Sequence, residues 1–203
     1  MKVILSIDQI KHPITGVGRY AYELAKELAK LPEMESLRYF RGTGFDSELV
    51  HARSSHSFMK RLVRGFAKSG IAVDLYRQIA PRLKARVLRG YEDHLFHGTS
   101  FYLPPFRGTS VVTIHDLSAF KWPQCHPPER IRYMGDEVKF ALQQAALLIT
   151  DSEYTRCEIS RHFSWPIDKI VSVPLASAAG FHPREAAELE SCLAKHALPL
   201  NSY

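Results

Sequence analysis

Polar side chains that can bind or position a ligand follow apolar, strand-like runs at several points of the sequence. His115 and Asp116 come directly after Val-Val-Thr-Ile, Asp151 and Ser152 flank the end of Leu-Leu-Ile-Thr, and residues 98–100 follow Leu-Phe-His. A histidine there can donate a hydrogen bond to a ligand or pair with a carboxylate. In open parallel sheets, ligands bind outside the carboxyl ends of the strands. Turns are polar in any case, so the pattern alone leaves a purely structural interpretation open.

A glycine pair, Gly16 and Gly18, opens the segment Gly-Val-Gly-Arg-Tyr-Ala. The pattern matches the loose dinucleotide fingerprint GxGxxA, but seven residues separate it from the first strand, where the fingerprint needs its glycine almost at once. Glycines at a helix start still let backbone N–H groups approach an anionic ligand. The pair is therefore either a ligand-binding helix start or a plain glycine turn.

Cysteine and histidine spacing indicates neither disulfides nor a metal site. Cys125, Cys157 and Cys192 are odd in number and far apart, which argues for a reducing compartment and against a CxxC metal site. The histidines and cysteines show no ligand spacing, so we expect no metal. The sequence also contains no nucleophile elbow, no HExxH motif and no P-loop.

The elements that must position these side chains alternate along the chain. Apolar runs predict strands at 3–8, 37–41, 94–97, 111–114, 146–150 and 170–174. Helical spacing predicts helices at 18–31, 127–145 and 153–163, with Ser152 as an N-cap. This alternation is typical of the α/β class and predicts a Rossmann-like, doubly wound parallel sheet with helices on both faces.

The net charge of +6 comes from one segment. Residues 60–90 contain nine of the 27 basic residues and one of the 21 acidic residues, so they carry +8 and the remainder carries −2. Apolar residues interleave with the charges at helical spacing, which suits either the surface of an anionic membrane or a helix pair packed on the domain. Aromatic residues for base stacking are sparse there, so we expect no nucleic acid partner. The candidate membrane-contact residues are Lys60, Arg61, Arg64, Lys68, Arg82, Lys84, Arg86 and Arg89.

In this order, the motifs resemble the N-terminal domain of glycosyltransferase family 4, a GT-B group that includes bacterial mannosyltransferases and rhamnosyltransferases. The matching pieces are the glycine segment, the block HGTSFYLPPFRGTSVVTIHDLSAFKWPQCHP at 97–127, TDSEYTR at 150–156, and IVSVPL at 170–175 with a later Phe-His-Pro. The resemblance covers nearly the whole chain and is weakest over 45–89. It implies that residues 1–183 form the acceptor-binding domain, with a basic helical segment at 58–90. Residues 184–203 would then lead, through a helix at 184–196, to a C-terminal donor-binding domain absent from this chain.

The resemblance implies a reaction and a role for each matching position. The reaction is the retaining transfer of a hexose, mannose or rhamnose, from a nucleotide-sugar such as a GDP-sugar to a lipid-linked glycan of a cell-surface polysaccharide such as O-antigen. Gly16 and Gly18 would lie near the donor diphosphate, His115 would hydrogen-bond and position the donor sugar, and Asp116 would support His115 or contact acceptor hydroxyls. The acceptor-binding residues implied are Arg19, Tyr20, Thr99, Ser100, Tyr102 and Ser152.

The resemblance also sets expectations about cofactors and location. No metal or other cofactor is needed, and the leaving diphosphate assists deprotonation of the acceptor. The donor is bound mainly by the other domain, so we expect this chain alone to be inactive. We expect it in the cytoplasm, peripheral on the inner face of the cytoplasmic membrane. Two alternatives remain: a nucleotide-dependent oxidoreductase domain, which would rest on the glycine pair, and a non-catalytic module that binds a membrane or partner.

Overall fold

The computed structural model describes residues 1–49, 70–178 and 180–199, and it gives side chains throughout these ranges except at 70–78. Four of the predicted membrane contacts, Lys60, Arg61, Arg64 and Lys68, lie outside the described residues. Strands of the described part form one sheet with the order β3-β2-β1-β4-β5-β6-β7. Their bounds are β1 Lys2–Ser6, β2 Ser36–Arg41, β3 Gly44–Asp46, β4 Leu95–Gly98, β5 Ser110–Thr113, β6 Leu147–Thr150 and β7 Ile170–Ser172.

Helices alternate with these strands, as the sequence predicts. Their bounds are α1 Gly16–Leu28, α2 Gly70–Val87, α3 Ser118–Lys121, α4 Pro128–Gln144, α5 Glu153–Phe163 and α6 Ala186–Lys195, with short 3₁₀ turns at Pro123–Cys125 and Ile167–Lys169. All neighbouring strands pair in parallel except β2 and β3. The predicted α/β fold with a Rossmann-like, mostly parallel sheet is therefore confirmed.

The antiparallel edge strand β3 was not predicted, because three residues are too few to show an alternating pattern. It returns from β2 through Gly42, whose φ of +62° favours glycine. The Asp8 carboxylate accepts a hydrogen bond of 2.8 Å from the Gly42 N–H. Arg41 donates to Asp46 across the hairpin at 2.7 Å. Asp8 therefore holds this turn at the end of β1.

The sheet is covered on both faces, which explains why its strands read as continuous apolar runs. Successive residues of a strand point to opposite faces. Ile4 of β1 joins a cluster with Val138 of α4 and Ile159 of α5, whereas Leu5 joins a second cluster with Ala21 of α1. All of these residues are buried. Helices on both faces thus hold the strand ends in fixed positions.

The strand order reverses direction between β1 and β4. From β1 the chain passes through α1 to β2 on one side, and later returns through α2 to β4 on the other side. At such a switch point the connections diverge and leave a crevice outside the carboxyl ends of the two strands, where ligands of this fold class bind. The residues that follow β1, β4, β5 and β6 are therefore the ones to examine for chemistry.

Candidate functional site

Side chains from different strand ends contact one another at this edge of the sheet. Thr99, which follows β4, donates its hydroxyl to the Ser6 carbonyl of β1 at 2.8 Å. His115, which follows β5, lies 3.2 Å from the Thr99 carbonyl through Nε2 and 2.7 Å from Asp151 Oδ2 through Nδ1. We call Tyr20, His97, Thr99, Thr113, His115 and Asp151 the strand-end cluster.

His115 is fixed by three contacts from three different elements. Besides the two hydrogen bonds of its ring nitrogens, its imidazole packs edge-on against Tyr20 of α1, with ring centroids 4.9 Å apart and an interplanar angle of 85°. Its side chain is 16% exposed, and that of Asp151 is 19% exposed. The ring is therefore held in one orientation and still reaches solvent at the crevice.

A chain of hydroxyl and imidazole groups lies beneath His115. The Thr113 Oγ1 atom is 2.9 Å from the Tyr20 hydroxyl and 2.9 Å from His97 Nε2. Burial and the positive charge of His115 lower the pKa of His97 to about 4. Burial also raises the pKa of Tyr20, although its hydrogen bond with Thr113 opposes the change. Both groups are therefore neutral at pH 7.

The carboxylate that contacts His115 is Asp151, so the prediction that Asp116 supports this histidine is wrong. Asp116 Oδ1 instead accepts a 2.7 Å hydrogen bond from the Ser118 N–H at the start of α3. Burial raises the pKa of Asp116, but the side-chain and backbone hydrogen bonds of Ser118 lower it, and the net direction is downward. Asp116 is exposed, so a contact with acceptor hydroxyls stays a prediction.

The two glycines at the start of α1 have different surroundings. A Cβ on Gly18 would lie 2.5 Å from the Gln9 carbonyl oxygen, whereas a Cβ on Gly16 would meet no atom within 4 Å. Thr15 caps the helix by accepting a hydrogen bond from the Gly18 N–H. Gly18 is therefore required by close packing, and Gly16 lies exposed at the helix N-terminus. Arg19 is exposed as well, and its guanidinium lies 5.4 Å from the Phe181 ring centroid.

The loop that follows β4 carries the other predicted acceptor residues. Ser100 is buried, and its carbonyl accepts a hydrogen bond from the Tyr102 N–H. The Lys84 ammonium of α2 lies 3.0 Å from the Tyr102 hydroxyl and 4.2 Å from its ring centroid. Burial lowers the pKa of Lys84, against the opposing charges of Asp8 and Glu137. Lys84 of α2 therefore packs against the loop that follows β4.

The predicted N-cap Ser152 is confirmed. Its hydroxyl accepts a 3.1 Å hydrogen bond from the Thr155 N–H and lies 3.0 Å from the Thr155 hydroxyl, in the first turn of α5. The cap fixes the backbone next to Asp151. A contact between Ser152 and an acceptor stays a prediction.

The second half of α2 and the turn that follows it expose both basic and apolar side chains. Arg82 and Arg86 of the helix and Arg89 of the turn are exposed, and so are Ile79 and Leu83. These five residues form the basic face, and its contact with a membrane stays a prediction. Among the helices that the structure describes, none is long and apolar enough to cross a bilayer. Within the same residues, no three histidine, cysteine or acidic side chains come together as a group that could hold a metal ion.

Three members of the strand-end cluster were missed as site residues from the sequence. Asp151 follows a strand end, as His115 does, and this position is the one feature of the sequence that could have identified it as a site residue. His97 and Thr113 lie inside β4 and β5 and look like ordinary strand residues. Only the packing of β4 against β5 and α1 brings their polar atoms to the base of the site.

Comparison with known proteins gives one informative match. No protein-family model matches the sequence. The chain is 38% identical over 207 aligned positions to the O-antigen chain mannosyltransferase B of Escherichia coli. The alignment covers 100% of this chain and 54% of that protein, so the chain spans about half the length of the relative.

Proposed function

We propose that this chain is the acceptor-side domain of a retaining, GT-B-type glycosyltransferase of family 4 that transfers mannose from a GDP-sugar during O-antigen synthesis. The observation that carries the proposal is His115, held by Asp151 and Thr99 at the switch-point crevice of a Rossmann-like sheet. The 38% identity to an O-antigen chain mannosyltransferase along the whole chain supports the same conclusion.

In this proposal His115 positions the donor sugar. Its ring lies at the crevice, and both of its nitrogens are in hydrogen-bond contact with the protein. A sugar hydroxyl oxygen then accepts the hydrogen bond of the Nε2–H, either in place of the Thr99 carbonyl or together with it. A hydrogen bond from a fixed group costs little reorganisation during reaction, which is the general source of electrostatic catalysis. The leaving diphosphate takes the proton of the acceptor hydroxyl, so no base from this domain is needed.

The start of α1 is the proposed neighbour of the donor diphosphate. Backbone N–H groups and the positive end of the helix dipole favour anions at a helix N-terminus. Gly16 leaves this end uncovered, because no atom lies within 4 Å of the position its Cβ would take. Gly18 lets the helix start pack against the Gln9 backbone and so fixes its direction. Most of the donor contacts belong to a second domain.

A chimera tests the proposed activity. In it, this chain replaces the part of the E. coli protein with which it aligns, and transfer of radiolabelled mannose from GDP-mannose to a lipid-linked acceptor is measured. We expect transfer by the chimera, and about 100-fold lower turnover for His115→Gln, the typical cost of losing one preorganised donor. The control is His162→Gln, because His162 is exposed in the last turn of α5, at the opposite end of that helix from Asp151.

Three results would each reject a part of the proposal. A chimera that unfolds in one cooperative transition but transfers no mannose contradicts the assignment. Equal turnover of the His115→Gln and His162→Gln chimeras removes His115 from the reaction. Tight calorimetric binding of GDP-mannose to the 203-residue chain alone would contradict the proposed division of labour between the domains.

The basic face of α2 gives the proposed lipid-linked acceptor a route to the site. Its arginines attract anionic headgroups, while Ile79 and Leu83 insert among the acyl chains. Sedimentation with vesicles of 30% anionic lipid tests this contact. We expect the chain to lose its binding to the vesicles when Arg82, Arg86 and Arg89 are all replaced by glutamate. The control reverses Arg130, Arg132 and Lys139 of α4, which are also exposed, with the same change in charge. Equal release by both variants would reject the face as a docking surface.

A further inference from the structure

Both ring nitrogens of His115 face hydrogen-bond acceptors. Nδ1 lies 2.7 Å from a carboxylate oxygen of Asp151, and Nε2 lies 3.2 Å from the backbone carbonyl of Thr99. A backbone carbonyl has no proton to donate, and neither has an ionised carboxylate. A neutral imidazole carries only one N–H, so it would direct a lone pair at one of the two oxygens. With Asp151 ionised, only the doubly protonated ring satisfies both contacts.

Asp151 is built into the rigid frame of the sheet. It follows β6 directly, and the next residue, Ser152, is the N-cap of α5. Its second oxygen, Oδ1, is buried and has no hydrogen-bond partner among the described residues. An ionised carboxylate in this position needs a compensating charge. The His115 ring, whose Nδ1 atom lies 2.7 Å from the other oxygen of this carboxylate, can carry that charge when it holds both protons.

Of the other titratable groups around His115, Tyr20 and His97 are neutral, whereas Asp116 carries a negative charge. Tyr20 of α1 packs on the ring and is neutral, because burial raises the pKa of its hydroxyl. His97 of β4 is also neutral, because burial and the His115 charge lower its pKa. Asp116, the next residue in the chain, interacts electrostatically with His115, but its carboxylate is exposed and accepts its hydrogen bond from the Ser118 N–H.

We propose that Asp151 is the positioning residue of His115 and holds its ring doubly protonated, with the Nε2–H directed into the crevice. This inference rests on the proposed function, because it concerns the same histidine. It limits what His115 can do: a ring that carries both protons has no lone pair with which to remove a proton. His115 then acts as a hydrogen-bond donor to substrate oxygen.

Ring nitrogen chemical shifts test the proposal without any activity assay. The 203-residue chain is labelled with histidine that carries ¹⁵N in the ring, and His115→Gln identifies the resonances of residue 115. At pH 7 we expect both nitrogens of His115 to show the shifts of protonated nitrogens. Asp151→Asn keeps an acceptor for Nδ1–H but removes the charge, so we expect one ring nitrogen to move to the value of a neutral imidazole.

The matched control is Asp116→Asn, which removes the neighbouring carboxylate and should leave both His115 nitrogens protonated. A neutral ring in the unchanged chain overturns the proposal, and this measurement decides the matter even if Asp151→Asn does not fold. An unchanged His115 pattern in a folded Asp151→Asn chain overturns it as well.

Activity separates this inference from the proposed function. In the chimera, Asp151→Asn should lower kcat by about 100-fold, the effect expected when a positioned group is misplaced. If the unchanged chimera transfers no mannose while the ring shifts behave as expected, the proposed function fails and the role of Asp151 in holding His115 stands. If transfer occurs and the ring is neutral, only the inference fails.

Discussion

His97 is a neutral histidine buried in the sheet, and its burial makes the stability of the fold depend on pH. Its side chain lies in β4 with 7% of the residue exposed, and its pKa falls from 6.5 to about 4 through burial and the charge of His115. Below pH 6.5 the unfolded chain takes up a proton at this histidine, whereas the folded chain does so only near pH 4. The contribution of neutral His97 to the free energy of unfolding is therefore fully present above pH 6.5 and is lost as the pH falls toward 4.

The magnitude follows from the two pKa values. Between pH 7 and pH 4.5, proton uptake by the unfolded chain at this one histidine lowers the free energy of unfolding by about 2 to 3 kcal/mol. His97→Gln removes the titrating group and retains an amide that can bond to the Thr113 hydroxyl. The variant should therefore lose about 2 to 3 kcal/mol less than the unchanged chain over the same pH interval. Other groups, such as the Asp93 carboxyl with its pKa lowered to about 2 by Lys2 and His94, contribute equally to both proteins.

Urea unfolding followed by circular dichroism at pH 7 and pH 4.5 measures this difference. His162→Gln is the control, because it removes an exposed histidine and should leave the pH dependence of the unchanged chain intact. If His97→Gln loses as much stability on acidification as the unchanged chain, the argument from burial is refuted.

Substitutions at four positions test the frame of the site through urea unfolding. Gly18→Ala should destabilise the fold by about 1 to 3 kcal/mol, because its Cβ meets the Gln9 carbonyl at 2.5 Å. Gly16→Ala should cost less than about 0.5 kcal/mol, and equal losses for the two would contradict the packing argument. Thr113→Val leaves the buried His97 and the half-buried Tyr20 without these hydrogen bonds and should cost about 1 to 3 kcal/mol, whereas Thr113→Ser should recover most of it. Ser152→Ala removes the N-cap of α5 and should cost about 1 kcal/mol; no loss would mean that the cap is dispensable.

Local sequence patterns predicted most of the fold. Continuous apolar runs alternate with segments whose apolar residues recur at the helical period of 3.6. This pattern predicted a parallel sheet covered on both faces, because only such a sheet buries every residue of its strands. The helix at 153–163 and its cap at Ser152 were predicted to the residue, since capping depends on contacts within one turn. The end of α1 was predicted at Leu31, before Pro32. The helix instead ends at Leu28 and turns before the proline.

The identity of the partner of His115 was decided by tertiary structure. The sequence offers its neighbour Asp116, but the β5–β6 register places Thr113 beside Ile149. Extended beyond the ends of both strands by two residues, the same register brings residue 115 opposite Asp151, which is 36 positions away. Asp116 instead accepts a hydrogen bond from the Ser118 N–H and is exposed.

The sequence by itself determined the order of the elements and the strand ends at which polar residues gather. Both depend on interactions within a few residues of the chain. Only the tertiary structure decided which of these residues meet, because strand register and helix orientation arise from packing between distant segments. Lys84 illustrates this: its spacing predicted a membrane contact, and the packing of α2 directs its ammonium to Tyr102.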